Sequence, residues 1–96
     1  MKTLAPEVSI TDTALAQIVL RAVEGVEGAR VRGTRRKIEI ALDDGHARVE
    51  LELAVTFGKV VPEVARAVQR EVADALSTMC GVVVDAVDVS VEELDA

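Results

Sequence analysis

The chain has 96 residues, of which 50% are hydrophobic and 29% are charged, so we expect it to fold as one domain over residues 1–96. Its net charge of -6 argues against a general binder of nucleic acid or of anionic membranes. The single cysteine excludes an internal disulfide, and the first residues lack the apolar run of a signal peptide, which indicates a cytoplasmic protein. The longest uncharged stretch, residues 75–84, is shorter than the roughly 20 residues of a spanning helix, so membrane association would require a partner.

The first long pattern in the chain is helical. Val8 and Ile10 before it indicate a short strand, and Thr11 can cap a helix. Apolar residues then recur at three- and four-residue spacing, which predicts a helix over Asp12–Glu24. Gly25 follows at the position where many helices end with a left-handed residue.

A β-hairpin is predicted around Asp44-Gly45, a dipeptide favoured in two-residue turns. Apolar residues alternate on both sides of it, over residues 38–42 and 47–57. The expected cross-strand pairs are Asp43 with His46, Leu42 with Ala47, Ile40 with Val49, and Ile38 with Leu51. This register also places Glu39 opposite Glu50, at a cost of about 0.2–1 kcal/mol. A one-residue slip would turn every apolar side chain to water and would cost more.

A strand at residues 29–31 is expected to complete a three-stranded meander. The connection Gly33-Thr34-Arg35-Arg36 would place Val31 beside Ile38 and Ala29 beside Ile40, with Arg30 opposite Glu39. We therefore expect this strand to pair with the first strand of the hairpin.

A second helix is predicted from Val61 to Met79, with Pro62 in its first turn and Gly81 at its end. The residues from Val87 to Val91 alternate as in a strand, and a strand-helix-strand connection of this length favours a parallel crossover. The order β-α-β-β-β-α-β predicts an α+β two-layer sandwich, with two helices on one face of a mixed four- to five-stranded sheet.

Groups suited to catalysis are few. His46 lies beside Asp43 and Asp44, which could form a metal site, but the hairpin turn itself explains the Asp-Gly dipeptide. Cys80 ends the second helix, where the helix dipole disfavours a thiolate. We find no catalytic set of residues and predict a protein that is not an enzyme and has no cofactor or metal.

The residues that stand out are cations. Five of them fall within eight residues that contain no acid, in a chain that is otherwise acidic: Arg30, Arg32, Arg35, Arg36 and Lys37. Three surfaces are candidates for binding a protein partner: the solvent face of the sheet, which adds Arg48, Glu50 and Glu52; the Arg35-Arg36 bend; and a polar stripe on the second helix that includes Arg66 and Arg70. Solvation alone also explains such charges, and a lack of aromatic residues makes nucleic-acid binding the weaker alternative.

Several segments together resemble the alkaline shock protein family over about residues 8–92. They are Ile10-Thr11-Asp12, Glu24-Gly25-Val26, the run from Phe57 to Val64, Val68-Gln69-Arg70-Glu71-Val72, and Val87-Asp88-Val89-Ser90-Val91. Phe57 stands where tyrosine is common in the family, and the chain ends soon after its last strand.

The resemblance implies a non-enzymatic interaction or scaffold protein linked to envelope stress in bacteria. Members act through protein association, in some cases held at the membrane by a small membrane-anchoring protein, so a membrane-proximal location and self-association are both expected. No catalytic residue is transferred. The alternative is an assembly factor of the iron-sulfur type that carries no cluster of its own, because the Cys-x-x-Cys of cluster carriers is absent: Ser77 and Cys80 stand at that spacing.

Overall fold

The computed structural model describes residues 12–32 and 38–95. The elements in chain order are α1 (Asp12–Glu24), β1 (Ala29–Val31), β2 (Glu39–Asp43), β3 (His46–Thr56), α2 (Val61–Cys80) and β4 (Val83–Asp95). The predicted α+β class and both helix ranges are confirmed. The strand expected at Val8 and Ile10, and the cap at Thr11, lie outside the described residues.

Strand β3 is the centre of a mixed four-stranded sheet. β4 runs parallel to β3 along the whole length of β3, as we predicted from the length of the strand-helix-strand connection. β1 and β2 both pair antiparallel with β3, β1 beside residues 53–55 and β2 beside residues 46–50. Because β4 occupies one edge of β3, β1 and β2 lie end to end along the other.

The predicted meander is therefore wrong in one respect. Val31 lies opposite Leu53, and Ala29 opposite Val55, instead of beside Ile38 and Ile40. The physical reason is burial: β1 lies beside Leu53, Ala54 and Val55 of β3, which are all at most 1% exposed. Val31 is buried in the observed position.

The hairpin has the predicted register. Asp43 pairs with His46, Leu42 with Ala47, Ile40 with Val49, and Glu39 with Glu50. Asp44 and Gly45 both have positive φ, 51° and 77°, as a type I′ turn requires. The turn chemistry and the alternation of apolar residues thus fix the same pairing.

The two helices end differently. Gly81 is left-handed (φ 68°) after α2, and its N–H donates to the Ser77 carbonyl at 3.0 Å, as predicted for a C-terminal glycine. After α1 the prediction is wrong, because the left-handed glycine is Gly28 (φ 88°) and not Gly25. Gly25 instead continues the last helical turn, with its N–H donating to Arg21 O at 3.2 Å.

Strand β4 is much longer than the residues 87–91 predicted from alternation. It spans Val83–Asp95 and contains two irregularities, at Asp85 and at Glu92, where one residue has no partner on β3. Each extra residue shifts the alternation by one, so the sequence pattern is lost on both sides of the regular centre. The acidic residues near the end of the chain continue the strand as far as Asp95.

The core lies between the helices and one face of the sheet. Alternate residues of β3 point into it, namely Val49, Leu51, Leu53 and Val55, all at most 3% exposed. From the helices, Val19 and Val23 of α1 and Val68, Val72 and Leu76 of α2 are fully buried against them. Both helices therefore cover the same face, and no helix of the described residues covers the opposite one.

Candidate interaction surface

The sheet face turned away from the helices, here called the outer face, carries charged side chains. On β3 these alternate with the buried residues as His46, Arg48, Glu50 and Glu52. Neighbouring strands contribute their own residues in register, so the side chains stand in rows that cross the sheet. This face contains three of the five described residues that the sequence predicted to bind a partner: Arg30, Arg32 and Arg48.

The central row is acidic on three adjacent strands. Glu50 of β3 lies between Glu39 of β2 and Asp88 of β4, and all three residues are exposed. The sequence predicted the first pair, and the parallel register of β4 adds the third carboxylate. Like charges directly opposite one another destabilise a sheet, so this row works against folding.

The neighbouring row contains an ion pair between β3 and the end of β1. Arg32 Nη1 lies 3.0 Å from Glu52 Oε1, and the backbone N–H of Arg32 donates to Glu52 O at 2.9 Å. The two side chains remain 42% and 36% exposed. Arg32, predicted as a partner-binding residue, is thus held by the sheet itself.

The other two described arginines of this face stand beside alanines. Arg30 lies opposite Ala54, not opposite Glu39 as predicted, because β1 pairs with β3. Arg48 lies between Ala41 and Ala86, one row from the acidic row. Both residues are exposed, which makes them accessible to a partner.

His46 is engaged with β4 at the edge of the face. Its Nδ1 lies 2.9 and 3.1 Å from the two oxygens of Asp85, the extra residue of the first irregularity in β4. Asp43 lies opposite it as predicted, but the hydrogen bond is made with Asp85. Within residues 12–32 and 38–95, no three His, Cys, Asp or Glu residues come together as metal ligands.

Arg66 and Arg70, also predicted to bind a partner, lie on the opposite side of the sheet. They belong to α2 and are exposed on the helical layer, so the sheet separates them from Arg30, Arg32 and Arg48. The predicted residues therefore form two surfaces and not one.

Gln69, between these arginines in sequence, reaches the last strand. Its Nε2 donates to the backbone carbonyl of Val87 at 3.0 Å. This bond joins the helical layer to β4. Arg35, Arg36 and Lys37 lie outside the described residues.

The sequence reasoning missed several exposed apolar residues. Phe57 was assigned to the second hairpin strand, but β3 ends at Thr56 and Phe57 is 70% exposed in the turn before α2. Val60 follows it, and Leu94 lies opposite Val55 near the same end of the sheet; both are more than half exposed. A period-2 pattern cannot show where a strand ends, so only the adjacent Gly58 signalled the turn.

No helix in the described part of the chain combines the length and apolar character needed to cross a membrane.

Comparison with solved structures identifies the same fold in a C-terminal domain. The MamM CTD, residues 215–293, superposes with a TM-score of 0.58 at 19% sequence identity, over 86% of this chain and 99% of that one. A manganese form of a MamM CTD variant gives 0.58 at 18% identity over 86% and 99%, and a nickel form gives 0.57 at 20% over 84% and 96%. Identities this low show a shared fold only.

Comparison with family models identifies the family. Residues 29–96, more than half of the chain, match the model of the alkaline shock protein 23 family, described as having a cell envelope-related function. The chain therefore belongs to this family, as its sequence motifs indicated. No curated protein matches the sequence.

Proposed function

We propose that this chain is a non-enzymatic protein-interaction module with a cell envelope-related role, and that the outer face binds its partner. The proposed relation to the cell envelope rests on the description of the family. The outer face supplies the surface, because the helices cover only the other side of the sheet.

The observation that carries the proposal is the acidic row of Glu39, Glu50 and Asp88. Three carboxylates side by side cost stability, and a domain selected for stability alone would replace one of them. Local features that oppose folding are concentrated at functional sites. Arg48 stands one row from these acids and Arg30 two rows away on the other side, so the face offers both signs of charge to a complementary surface.

The chemistry of the remaining polar groups supports a role in binding and not in catalysis. His46 is hydrogen-bonded to Asp85 on an open strand pair. Cys80 is half-buried at the C-terminal end of α2. We propose that the partner is a protein, that a small membrane-anchoring protein holds the module at the cytoplasmic side of the membrane, and that copies of the chain also associate with one another.

The test compares two pairs of substitutions that change charge equally. Arg30→Ser with Arg48→Ser alters the outer face, whereas Arg66→Ser with Arg70→Ser alters the helical layer. In crosslinking pull-downs from native cells we expect the first variant to lose its partner and the second to retain it. Circular dichroism should show both variants folded.

Three outcomes would contradict the proposal. Loss of the partner only in the Arg66/Arg70 variant would show that the binding site lies on α2. Capture of nucleic acid in place of protein would favour nucleic-acid binding. Turnover of a small molecule by the pure protein would overturn the non-enzymatic assignment.

A further inference from the structure

Strand β4 has one edge without a strand partner in the described part of the chain. It pairs with β3 alone, over the 13 residues Val83–Asp95. Natural proteins protect long sheet edges with proline, lysine or a covering element. β4 contains neither proline nor lysine. Its second edge therefore offers a row of backbone donors and acceptors.

The pairing of β3 shows which backbone groups face this edge. Glu52 O and Thr56 N–H bond to the β1 side, so the odd-numbered residues of β3 bond to β4. In a parallel pair Val49 bonds to the residues before and after its partner Val87, so Val87 points away from β3, where its carbonyl accepts from Gln69. Backbone groups of alternate residues point to opposite edges of a strand, and the pairing from Ala86 to Val91 is regular. The N–H and C=O groups of Val87, Val89 and Val91 therefore face the edge.

The apolar side of β4 is incompletely covered near this edge. Val87, Val89 and Val91 pack against the core but are only partly buried, unlike the fully buried residues of β3. Above them, α2 presents Gln69 and, one turn to either side, Ala65 and Ala73. Small side chains at these positions leave room for the side chains of another strand.

The charged side of β4 is acidic. Asp85, Asp88 and Glu92 are exposed, and the strand carries no cation along its length. A strand added beside β4 would place one of its residues next to Asp88, as the fourth member of the row begun by Glu39 and Glu50. A cation there would neutralise part of the repulsion in that row.

From these observations we infer that the second edge of β4 binds an extended basic segment of the partner, in which apolar residues alternate with lysine or arginine. This inference rests on the proposed interaction function and specifies the partner's chemistry. The backbone of the added strand supplies affinity, and the alternating side chains supply specificity.

A second copy of this chain is a poorer occupant of the edge. Two β4 strands would bring Asp85, Asp88 and Glu92 against the same acids. On the opposite edge of the sheet, the described part of the chain contributes the three residues of β1, and β2 adds Glu39 and Asp43. Neither edge of a second copy provides a continuous basic strand.

The test uses the full chain with a short labelled peptide in which valine and lysine alternate. Fluorescence anisotropy should show binding that weakens as salt is raised, since exposed charges contribute to it. Two control peptides should bind at least about tenfold more weakly. The first alternates valine with glutamate, so its charge has the same sign as that of β4. The second has its valines and lysines in two separate blocks, so the alternation is lost.

Protein variants locate the binding site. Val89→Pro removes an N–H that faces the open edge while leaving the donors that pair with β3, a substitution that edge strands tolerate. Asp88→Lys reverses the charge beside the edge, and Asp74→Lys on the exposed side of α2 is its matched control. We expect the first two to weaken peptide binding about tenfold or more, and the third to leave it unchanged.

Hydrogen exchange provides a readout that does not depend on variants. Binding should slow amide exchange at Val87, Val89 and Val91, whereas Asp88 and Ser90, whose N–H groups face β3, should change little. Protection confined to β1 or to the Phe57 turn would overturn the inference.

The two proposals can fail separately. A native partner that still binds Val89→Pro and Asp88→Lys, but not the Arg30/Arg48 variant, overturns the edge inference and leaves the interaction function in place. If β4 binds the peptide as predicted but native cells yield no protein partner, the proposed interaction function is overturned. The inference that the β4 edge binds a segment of that partner is then overturned with it.

Discussion

Arg32 is bonded to Glu52 twice, through its backbone N–H at 2.9 Å and through its guanidinium at 3.0 Å. The pair lies directly after the last residue of β1. The backbone bond continues the pairing of β1 by one residue, and the ion pair fixes the side chain across β3.

Removing the carboxylate of Glu52 should have a small effect on stability. Both side chains are more than a third exposed, so Glu52→Ala should lower the free energy of unfolding by about 0.2–1 kcal/mol. Urea unfolding at low and high salt measures this, and the difference from the native chain should shrink at high salt. A loss of several kcal/mol would mean that the pair has a larger structural role than its exposure allows.

Replacing the central acid of the row should stabilise the protein. Glu50→Lys would place a cation between Glu39 and Asp88, converting two repulsive cross-strand pairs into attractive ones, each worth about 0.2–1 kcal/mol. The melting temperature should rise at low ionic strength and the gain should diminish with salt. Glu71→Lys, on the exposed part of α2, controls for the change in net charge.

The hairpin turn should be sensitive at Gly45. Its φ of 77° is unfavourable for any residue with a Cβ, although an added Cβ would meet no atom within 4 Å. Gly45→Ala should therefore cost about 1 kcal/mol through backbone strain alone. Asp44→Asn, which suits the same turn type, should be neutral or slightly stabilising in the same denaturation experiment. A Gly45→Ala variant as stable as the native protein would contradict the type I′ assignment.

Gly28 should be more sensitive than Gly45. It has a φ of 88°, and an added Cβ would lie 2.9 Å from Cγ of Lys59. Gly28→Ala therefore adds a steric contact to the backbone strain. Thermal unfolding of a double-mutant cycle with Lys59→Ala separates the two effects, because the second substitution should recover the steric part only. Complete recovery would mean that backbone strain is negligible at this position.

Two leucines test where the core ends. Leu53 is fully buried, and Leu53→Ala should cost about 2–5 kcal/mol through lost burial and the cavity left behind. Leu42, on the same sheet face but 49% exposed, is the matched control and should cost much less when replaced by alanine. Similar losses at both positions would show that the core extends to the turn.

The helix limits and the hairpin register could be predicted because local signals determine them. Apolar spacing and the glycine after α2 set the helix boundaries, and Asp44-Gly45 with its flanking alternation admits one register. The pairing of β1 could not be predicted in this way. Three residues carry too little pattern to distinguish β2 from β3, and the choice depends on burial of Val31 beside Leu53.

The surface was predicted less well than the core, for reasons of geometry. The spacing of charges predicted partner-binding roles for Arg30, Arg32, Arg48, Arg66 and Arg70. It did not show that the sheet separates the arginines of the outer face from Arg66 and Arg70 on α2. The acidic row of Glu39, Glu50 and Asp88 required the register of β4, which the irregularities at Asp85 and Glu92 conceal. Gln69 showed no sign in sequence of its bond to Val87.

The arrangement of β1 and β2 along one edge has a consequence for how the family can diversify. Val31 lies opposite Leu53, and Glu39 lies opposite Glu50. Val31 and Glu39 are eight residues apart in sequence, whereas their partners on β3 are three residues apart. The connection is therefore five residues longer than a continuous strand would need. The segment between them, residues 33–37, contains three cations. We therefore expect that residues can be inserted into or deleted from this segment without a change in the pairing of Val31 with Leu53 or of Glu39 with Glu50.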